Sequence, residues 1–271
     1  MSSSLNNTTS KEKVSFSFGK NWKNYLSAAD EISFQNAAED ILQWLGEEFI
    51  KGKSVIDFGC GSGIHSMVFY SMNAAQLLSV DADIHSVEAT QTLWKRCKEP
   101  SSWSIKHGSV LDQSFIQSLP AFDLVYSWGV LHHTGAMWNA IENIMKLVKP
   151  GGFCWISIYV KGPNYKNHLQ LKHAYNRAGW LKKKWMLLYN CIVPLMIKRI
   201  HWRQNPFTWN ERGNRGMFVY YDMIDWLGGL PYEVASTDEI IQKFSDSNFE
   251  TVKIKEFPEG YCNVYLFKKK I

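Results

Sequence analysis

At 271 residues and 45% hydrophobic content, the chain is long enough for one α/β domain with an insertion or for two small domains, and it can fill a substantial core. No apolar run approaches the roughly 20 residues that span a bilayer and no leader-type apolar segment is seen, so membrane-spanning and exported classes are not expected. The net charge of +5 is uneven: twelve basic residues and one acid, Glu211, lie between Lys161 and Phe218, which leaves the rest of the chain acidic and predicts one basic face.

In chain order, Met1 to Lys13 is rich in Ser, Asn and Thr and reads as disordered. Phe16-Ser17-Phe18-Gly19-Lys20-Asn21-Trp22 is too aromatic for a solvated tail. It either folds as a lid over a bound molecule or packs on a sheet edge, and Trp22 joins the candidate substrate contacts. Apolar residues Ile32, Phe34, Ala37, Ile41, Trp44, Leu45 and Phe49 recur at helical spacing across Ala28 to Ile50. Residues 1–52 thus read as an arm and a helix. The expected strands that follow are Val55 to Phe58, Leu77 to Asp81, Ser102 to His107, Ala121 to Ser127 and, after a turn at Val148 to Gly152, Phe153 to Val160. Helical segments alternate with them, which predicts a parallel sheet covered on both faces over residues 53–160. Trp138, Ile141, Ile144, Met145 and Val148 form an apolar stripe on the helix before the fifth strand.

The alternation stops at Lys161-Gly162-Pro163. Residues 161–233 then form a basic, aromatic insertion without alternating strands. In residues 234–271, Ser236 and Glu239 have capping-box spacing, Asn248 suits a left-handed helix stop, and two strands follow at Phe249 to Phe257 and Cys262 to Phe267. The cysteines Cys60, Cys97, Cys154, Cys191 and Cys262 are scattered and lack C-x-x-C spacing. No disulfide framework or metal site is expected, and a reducing cytoplasm is the expected location.

The densest chemistry lies in Val55-Ile56-Asp57-Phe58-Gly59-Cys60-Gly61-Ser62-Gly63. A buried strand, an acid and glycines at alternate positions precede a helix start, which lets backbone approach a nucleoside closely. A dinucleotide turn would place its third glycine at Ile64. Asp57 would repel a pyrophosphate but suits a cation. Charge complementarity therefore favours S-adenosylmethionine, with its ammonium and sulfonium, over NAD. Asp81 ends the second strand about 20 residues further on, where an acid can bond ribose hydroxyls.

The glycine loop, Asp81, Gly108 to Asp112, Val130-Leu131-His132-His133 and Lys149-Pro150-Gly151-Gly152 resemble class I S-adenosylmethionine-dependent methyltransferases in order and spacing. Ser17 to Trp22 and Asp225 to Gly229 are similar to segments of bacterial methyltransferases of polysaccharide and natural-product pathways. The resemblance implies a Rossmann-like α/β fold with a seven-stranded, mostly parallel sheet whose last strand is antiparallel. It also implies an insertion after strand five that covers the substrate.

On this reading Asp57 meets the cofactor's ammonium, and Gly59, Gly61 and Gly63 cradle it. Asp81 holds the ribose, with Asp83 a weaker alternative that could cap the next helix. Ser109 and Val110 face the adenine, Asp112 bonds the adenine amine or caps a helix, and Ser127 and Trp128 flank the methionine part. His132 and His133 follow strand four, and one of them is a candidate general base; the bland alternative is that His133 braces the loop. Arg212, Arg215, Tyr220, Tyr221 and Asp222 are the remaining substrate-contact candidates.

In the insertion, Trp180, Trp185, Trp202 and Trp209 interleave with the basic residues. This pattern fits a phosphorylated sugar, single-stranded nucleic acid, or an anionic membrane under residues 181–202, where Pro194 would kink a helix. A helical lid with solvated charges fits it as well. The expected activity is O-methylation of a saccharide or similar polar acceptor, with or without a phosphate. A nucleic-acid substrate is disfavoured because no Asn/Asp-Pro-Pro-Tyr/Phe segment follows strand four. The pattern also admits a membrane-lipid-linked substrate and a non-catalytic, cofactor-binding regulator.

Overall fold

The computed structural model describes residues 18–19, 31–46, 48–207 and 219–271. Their strands form one seven-stranded sheet: β1 (Ser54–Phe58), β2 (Gln76–Asp81), β3 (Trp103–His107), β4 (Phe122–Trp128), β5 (Val148–Tyr159), β6 (Phe249–Lys255) and β7 (Cys262–Lys269). Their order is β3-β2-β1-β4-β5-β7-β6. The first five pair in parallel, and β7 is antiparallel to both neighbours. The order reverses between β1 and β4, so a crevice opens beyond the carboxyl ends of these strands.

Both faces are covered, which explains why β1 is apolar on both sides and buried at every position. On one face lie α1 (Glu31–Leu45), α2 (Ile64–Ser71) and α3 (Ile84–Arg96), contributing Ala37, Ile41, Val68, Phe69 and Leu93 to a cluster with Val55 and Leu124. On the other, α4 (Gln113–Gln117) and α5 (Met137–Lys146) pack Ile116, Ile141 and Ile144 against Ile56, Val125 and Ile156.

The insertion is helical where described. It comprises α6 (Tyr165–Arg177), α7 (Trp180–Leu187), a π-helical turn (Leu188–Ile192), α8 (Val193–His201) and α9 (Val219–Gly228). Tyr175, Leu187 and Leu227 form a small core of its own. It leaves the sheet at Val160 and returns at Ala235, and these two residues form an isolated parallel bridge. The last helix, α10 (Thr237–Ser245), carries the expected capping box, and Asn248 has φ 66°.

Three local expectations change. Lys149 to Gly152 is a looped-out irregularity within β5 rather than a turn before it: Phe122 pairs Val148, Leu124 pairs Phe153, and Gly151 has φ 75°. Strand β6 ends at Lys255 rather than Phe257. Pro194 does not break its helix, because the π turn absorbs the lost donor and Val193 N–H bonds Leu188 O five residues back.

Candidate active site

The glycine turn after β1 is held by main-chain bonds. The N–H groups of Gly59 and Cys60 both donate to Val80 O, at 2.7 and 3.2 Å. Gly59 has φ 75°, and a Cβ there would lie 2.2 Å from Val130 Cγ2, so only glycine fits. Beneath the turn runs a buried relay: Trp103 Nε1–H donates to Ser79 Oγ (2.8 Å), Ser79 to Ser66 Oγ (2.6 Å), and Ser66 to Asp57 (2.6 Å). The relay aims Asp57 at the crevice.

Asp81 is gripped from two sides, by Gly61 N–H at 3.0 Å and Asp83 N–H at 2.8 Å. Burial pushes its carboxyl up to about 6, with those N–H groups opposing. Asp83 caps α3 by accepting from His85 N–H, and it also accepts from Gly19 N–H at 3.0 Å.

A cavity of about 1450 Å³ continues from this turn over the sheet edge to the insertion. Its inner half is lined by Asp57, Gly59, Asp81, Ser109, Val110 and Trp128, six of the candidates named from the sequence. Gly61, Gly63 and Ser127 are not on its wall. Gly61 serves Asp81; a Cβ on Gly63 would meet Thr90 at 2.9 Å; and the Ser127 hydroxyl braces Phe58 O at 3.1 Å. Asp112 is the N-cap of α4, accepting from Ser114 and Phe115 N–H, and does not line the cavity. The Val110 carbonyl is held by Asn143 at 2.9 Å.

The outer half is lined by His132, His133, Tyr159, Asp222 and Asp225, with His168, Cys191 and Lys198 from the insertion. Tyr220 and Tyr221 do not line it; Tyr220 is exposed and Tyr221 packs at the edge of the core. Trp22, Arg212 and Arg215 lie outside the described residues, as do Trp209, the disordered-start expectation and most of the lid segment. Phe18 is described, lines the cavity, and sits 5.0 Å from the His133 ring.

Both histidines ride on a short 3₁₀ turn, Leu131–His133, after β4. Tyr159 N–H meets His132 Nδ1 at 3.3 Å and the Ser157 backbone also hydrogen-bonds the ring, but neither reaches Nε2. That Nε2 is buried without a partner among the described residues. In His133, Nδ1–H donates to Pro231 O at 2.6 Å, leaving the Nε2 lone pair free to accept. Burial holds both rings neutral, His132 well below its ordinary 6.5 and His133 at about 3. Positive charge on Lys172 adds to both shifts.

Lys172 escaped sequence reading because it is one lysine of a basic block. It is fully buried on α6 and donates to Trp226 O. Its ammonium lies 4.6 Å from the Tyr232 ring, 4.9 Å from Trp226 and 5.5 Å from Tyr159. Burial brings it down to about 7. His168, one helical turn before it, was also missed; the i, i+4 spacing that puts it on the same helix face as Lys172 was the available signal.

A family profile described as a methyltransferase domain matches residues 31–203. A tRNA U34 carboxymethyltransferase of Geobacter sp. strain M21 is 28% identical over 103 residues, covering 38% of this chain and 31% of the relative. A ribosomal protein L11 methyltransferase of Legionella pneumophila strain Corby is 46% identical over 50 residues, 18% of this chain and 17% of the relative. The chain thus matches a third or less of the length of these curated relatives. The crystal structure of a magnesium protoporphyrin IX methyltransferase from Synechocystis PCC 6803 with bound SAH superposes with TM-score 0.54 at 14% identity, over 88% of this chain and 84% of that one. That likeness is one of fold.

Proposed function

Because the chain belongs to the methyltransferase-domain family, as a class I S-adenosylmethionine-dependent enzyme, we propose that its cavity directs a methyl group to an oxygen of a saccharide or similar polar small acceptor, with or without a phosphate. The observation that carries this reading is the continuous cavity, with the glycine turn, Asp57 and Asp81 at one end and two neutral imidazoles at the other.

The residues fit the cofactor. The Gly59 turn leaves room only for backbone, Asp57 is pre-aimed by its hydroxyl relay, and Asp81 keeps acceptor capacity beside it. We assign Asp57 to the ammonium, Asp81 to the ribose hydroxyls, Ser109 and Val110 to the adenine, and Trp128 to the methionine part. When bound, S-adenosylmethionine supplies an activated methyl on a sulfonium and leaves as a neutral thioether.

The chain's own groups align the acceptor and handle its proton. We assign His132 Nε2, which has no partner among the described residues, a hydrogen bond to the acceptor. His133 Nε2, held as a lone pair by the Pro231 carbonyl, is the proton acceptor of the pair. Its low pKa makes it a weak base, so most of the rate is assigned to alignment and exclusion of water. The roof of α6 and the π turn, with Phe18 alongside, supplies that exclusion.

The test is formation of S-adenosylhomocysteine by purified protein across a panel of hydroxylated and phosphorylated acceptors. His133→Ala should lower kcat about 100-fold while cofactor affinity is kept. His132→Ala should raise KM as well, because it removes a contact present in the ground state. If both variants keep full turnover, the roles given to the histidines are wrong. The expectation against nucleic acid finds no support in the relatives, since one is named for tRNA. A salt-sensitive gel shift with tRNA, accompanied by tRNA-dependent turnover, would favour that acceptor instead.

A further inference from the structure

From Trp180 to His201 the chain is one unbroken helical stretch, α7, the π turn and α8, about 33 Å long at helical rise. Its inner side carries Leu187 and Arg199, both buried, and walls the cavity through Cys191, Pro194 and Leu195. Its outer side is apolar and not covered by other described residues: Trp180, Leu181, Trp185, Tyr189, Ile197 and Ile200 are each more than half exposed. Leu181, Trp185, Leu188 and Tyr189 recur at spacings of three and four, and Ile197 and Ile200 extend the stripe beyond the π turn. Trp202 and Phe207, both more than half exposed, continue it past the helix end. Scattered exposed apolar residues are ordinary, but a contiguous stripe this long marks a binding surface.

The charges around the stripe identify what it meets. Residues 161–207 hold ten basic side chains and no acid. Lys182, Lys183 and Lys184 flank the stripe at one end, and Lys198 and Arg203 at the other. Lys184 lies 4.2 Å from the Trp180 ring and Lys198 lies 4.5 Å from Trp202, so cation and ring share one surface. No described helix is long and apolar enough to cross a membrane.

We propose that this helical face docks on the surface of an anionic phospholipid bilayer. Trp and Tyr would sit at headgroup depth, Leu181, Leu188, Ile197 and Ile200 in the acyl boundary, and the lysines on lipid phosphates. Nucleic acid fits less well, because aliphatic side chains offer bases no stacking platform. A second copy of this chain would set one lysine cluster against another. Docking holds the outer half of the cavity against the membrane, because the same helix walls both. This inference is independent of the acceptor proposed above.

Vesicle co-sedimentation tests it. The full chain should pellet with 1:1 phosphatidylglycerol:phosphatidylcholine vesicles and stay in the supernatant with phosphatidylcholine alone. Lys182→Glu/Lys183→Glu/Lys184→Glu should weaken partitioning on the order of 100-fold. Trp185→Ser/Ile197→Ser should weaken it at least 10-fold without altering the salt dependence. Both variants change side chains at the surface, and an unchanged melting temperature verifies their folding. Equal binding to both vesicle types, or no response to either variant, overturns the proposal. So does failure to bind vesicles, whether the face instead takes up single-stranded RNA or self-associates.

Discussion

Burial raises the Asp81 carboxyl to about 6 although two N–H groups hold its oxygens. A carboxyl raised in the folded state stabilises the fold fully below its ordinary 3.8, and that contribution is lost as pH rises through about 6. On the proposed ribose assignment ligand binding runs the other way, since ribose hydroxyls donate best to the ionised form. Affinity for S-adenosylhomocysteine should therefore rise from pH 5 to 7. Asp81→Ala should cost roughly 1–3 kcal/mol of that affinity and flatten its pH dependence. Titration calorimetry at the two pH values measures both, and an unaltered Kd for the variant removes Asp81 from the site. Lys172 offers a second residue-scale test. Its folded value near 7 lies below the ordinary 10.5, so its stabilising contribution is full above 10.5 and is lost as pH falls through 7. Replacing an ammonium caged by three rings with a methionine of similar shape should be neutral or stabilising near neutral pH. Lys172→Met should also raise the His133 pKa, because a neighbouring positive charge is gone. NMR titration of the imidazole C–H signals reads this directly, and an unmoved His133 would show that Lys172 does not tune it.

At the scale of elements, the histidine-bearing turn is tied down from the insertion's return. Helix α5 begins at Met137 after Ala136, which offers no side-chain cap. Glu233 supplies the cap from afar: both of its oxygens accept from Met137 N–H at 3.1 Å, and its own N–H donates to His132 O at 2.9 Å. Glu233→Ala should destabilise the fold by about 1–2 kcal/mol in urea unfolding, the scale of a lost N-cap. It should also lower turnover through the loosened turn while cofactor affinity is kept. A variant with full stability would mean the cap is replaced by water. Glu233 also illustrates what local pattern cannot reveal. The capping box at Ser236, the glycine turn and the acid at the end of β2 are legible because partner and recipient lie within a few residues or on one recognisable strand–turn–helix unit. Glu233, Lys172 and the Pro231 carbonyl act on groups distant in sequence, or are buried by packing that no period encodes. The placing of Gly61, Gly63 and Ser127 off the cavity wall has the same origin. Spacing placed them in the right turn, but only the fold decides which atoms face the cavity and which brace it.

Across the whole molecule, burial has displaced several titrating groups together, and their signs can be added. The His133 imidazole, folded near 3 against 6.5 ordinarily, contributes stability that is full above 6.5 and is lost as pH falls through 3. His132 acts in the same direction. For Asp123, burial pushes the carboxyl up, but hydrogen bonds from Ser54 and Lys149 outweigh it and hold it near 2, so its share disappears below 3.8. Asp81 alone among these opposes the trend, between 3.8 and 6. Two fully buried imidazoles outweigh Asp81 and the half-buried Glu233, whose carboxyl burial also pushes up, so the melting temperature should fall from pH 7 to 4. Ligand linkage adds to this. S-Adenosylhomocysteine at 100 times its Kd stabilises the folded state by about 2.7 kcal/mol. At roughly 2–4 °C per kcal/mol for a chain of this size, that is a rise of about 5–10 °C at pH 7. The rise should shrink at pH 5 with the ligand concentration held fixed, because much of Asp81 is then protonated before binding. Differential scanning fluorimetry over the two pH values, with and without ligand, separates these effects. A ligand-induced rise as large at pH 5 as at pH 7 would show that the carboxylate at the end of β2 does not contact the bound nucleoside.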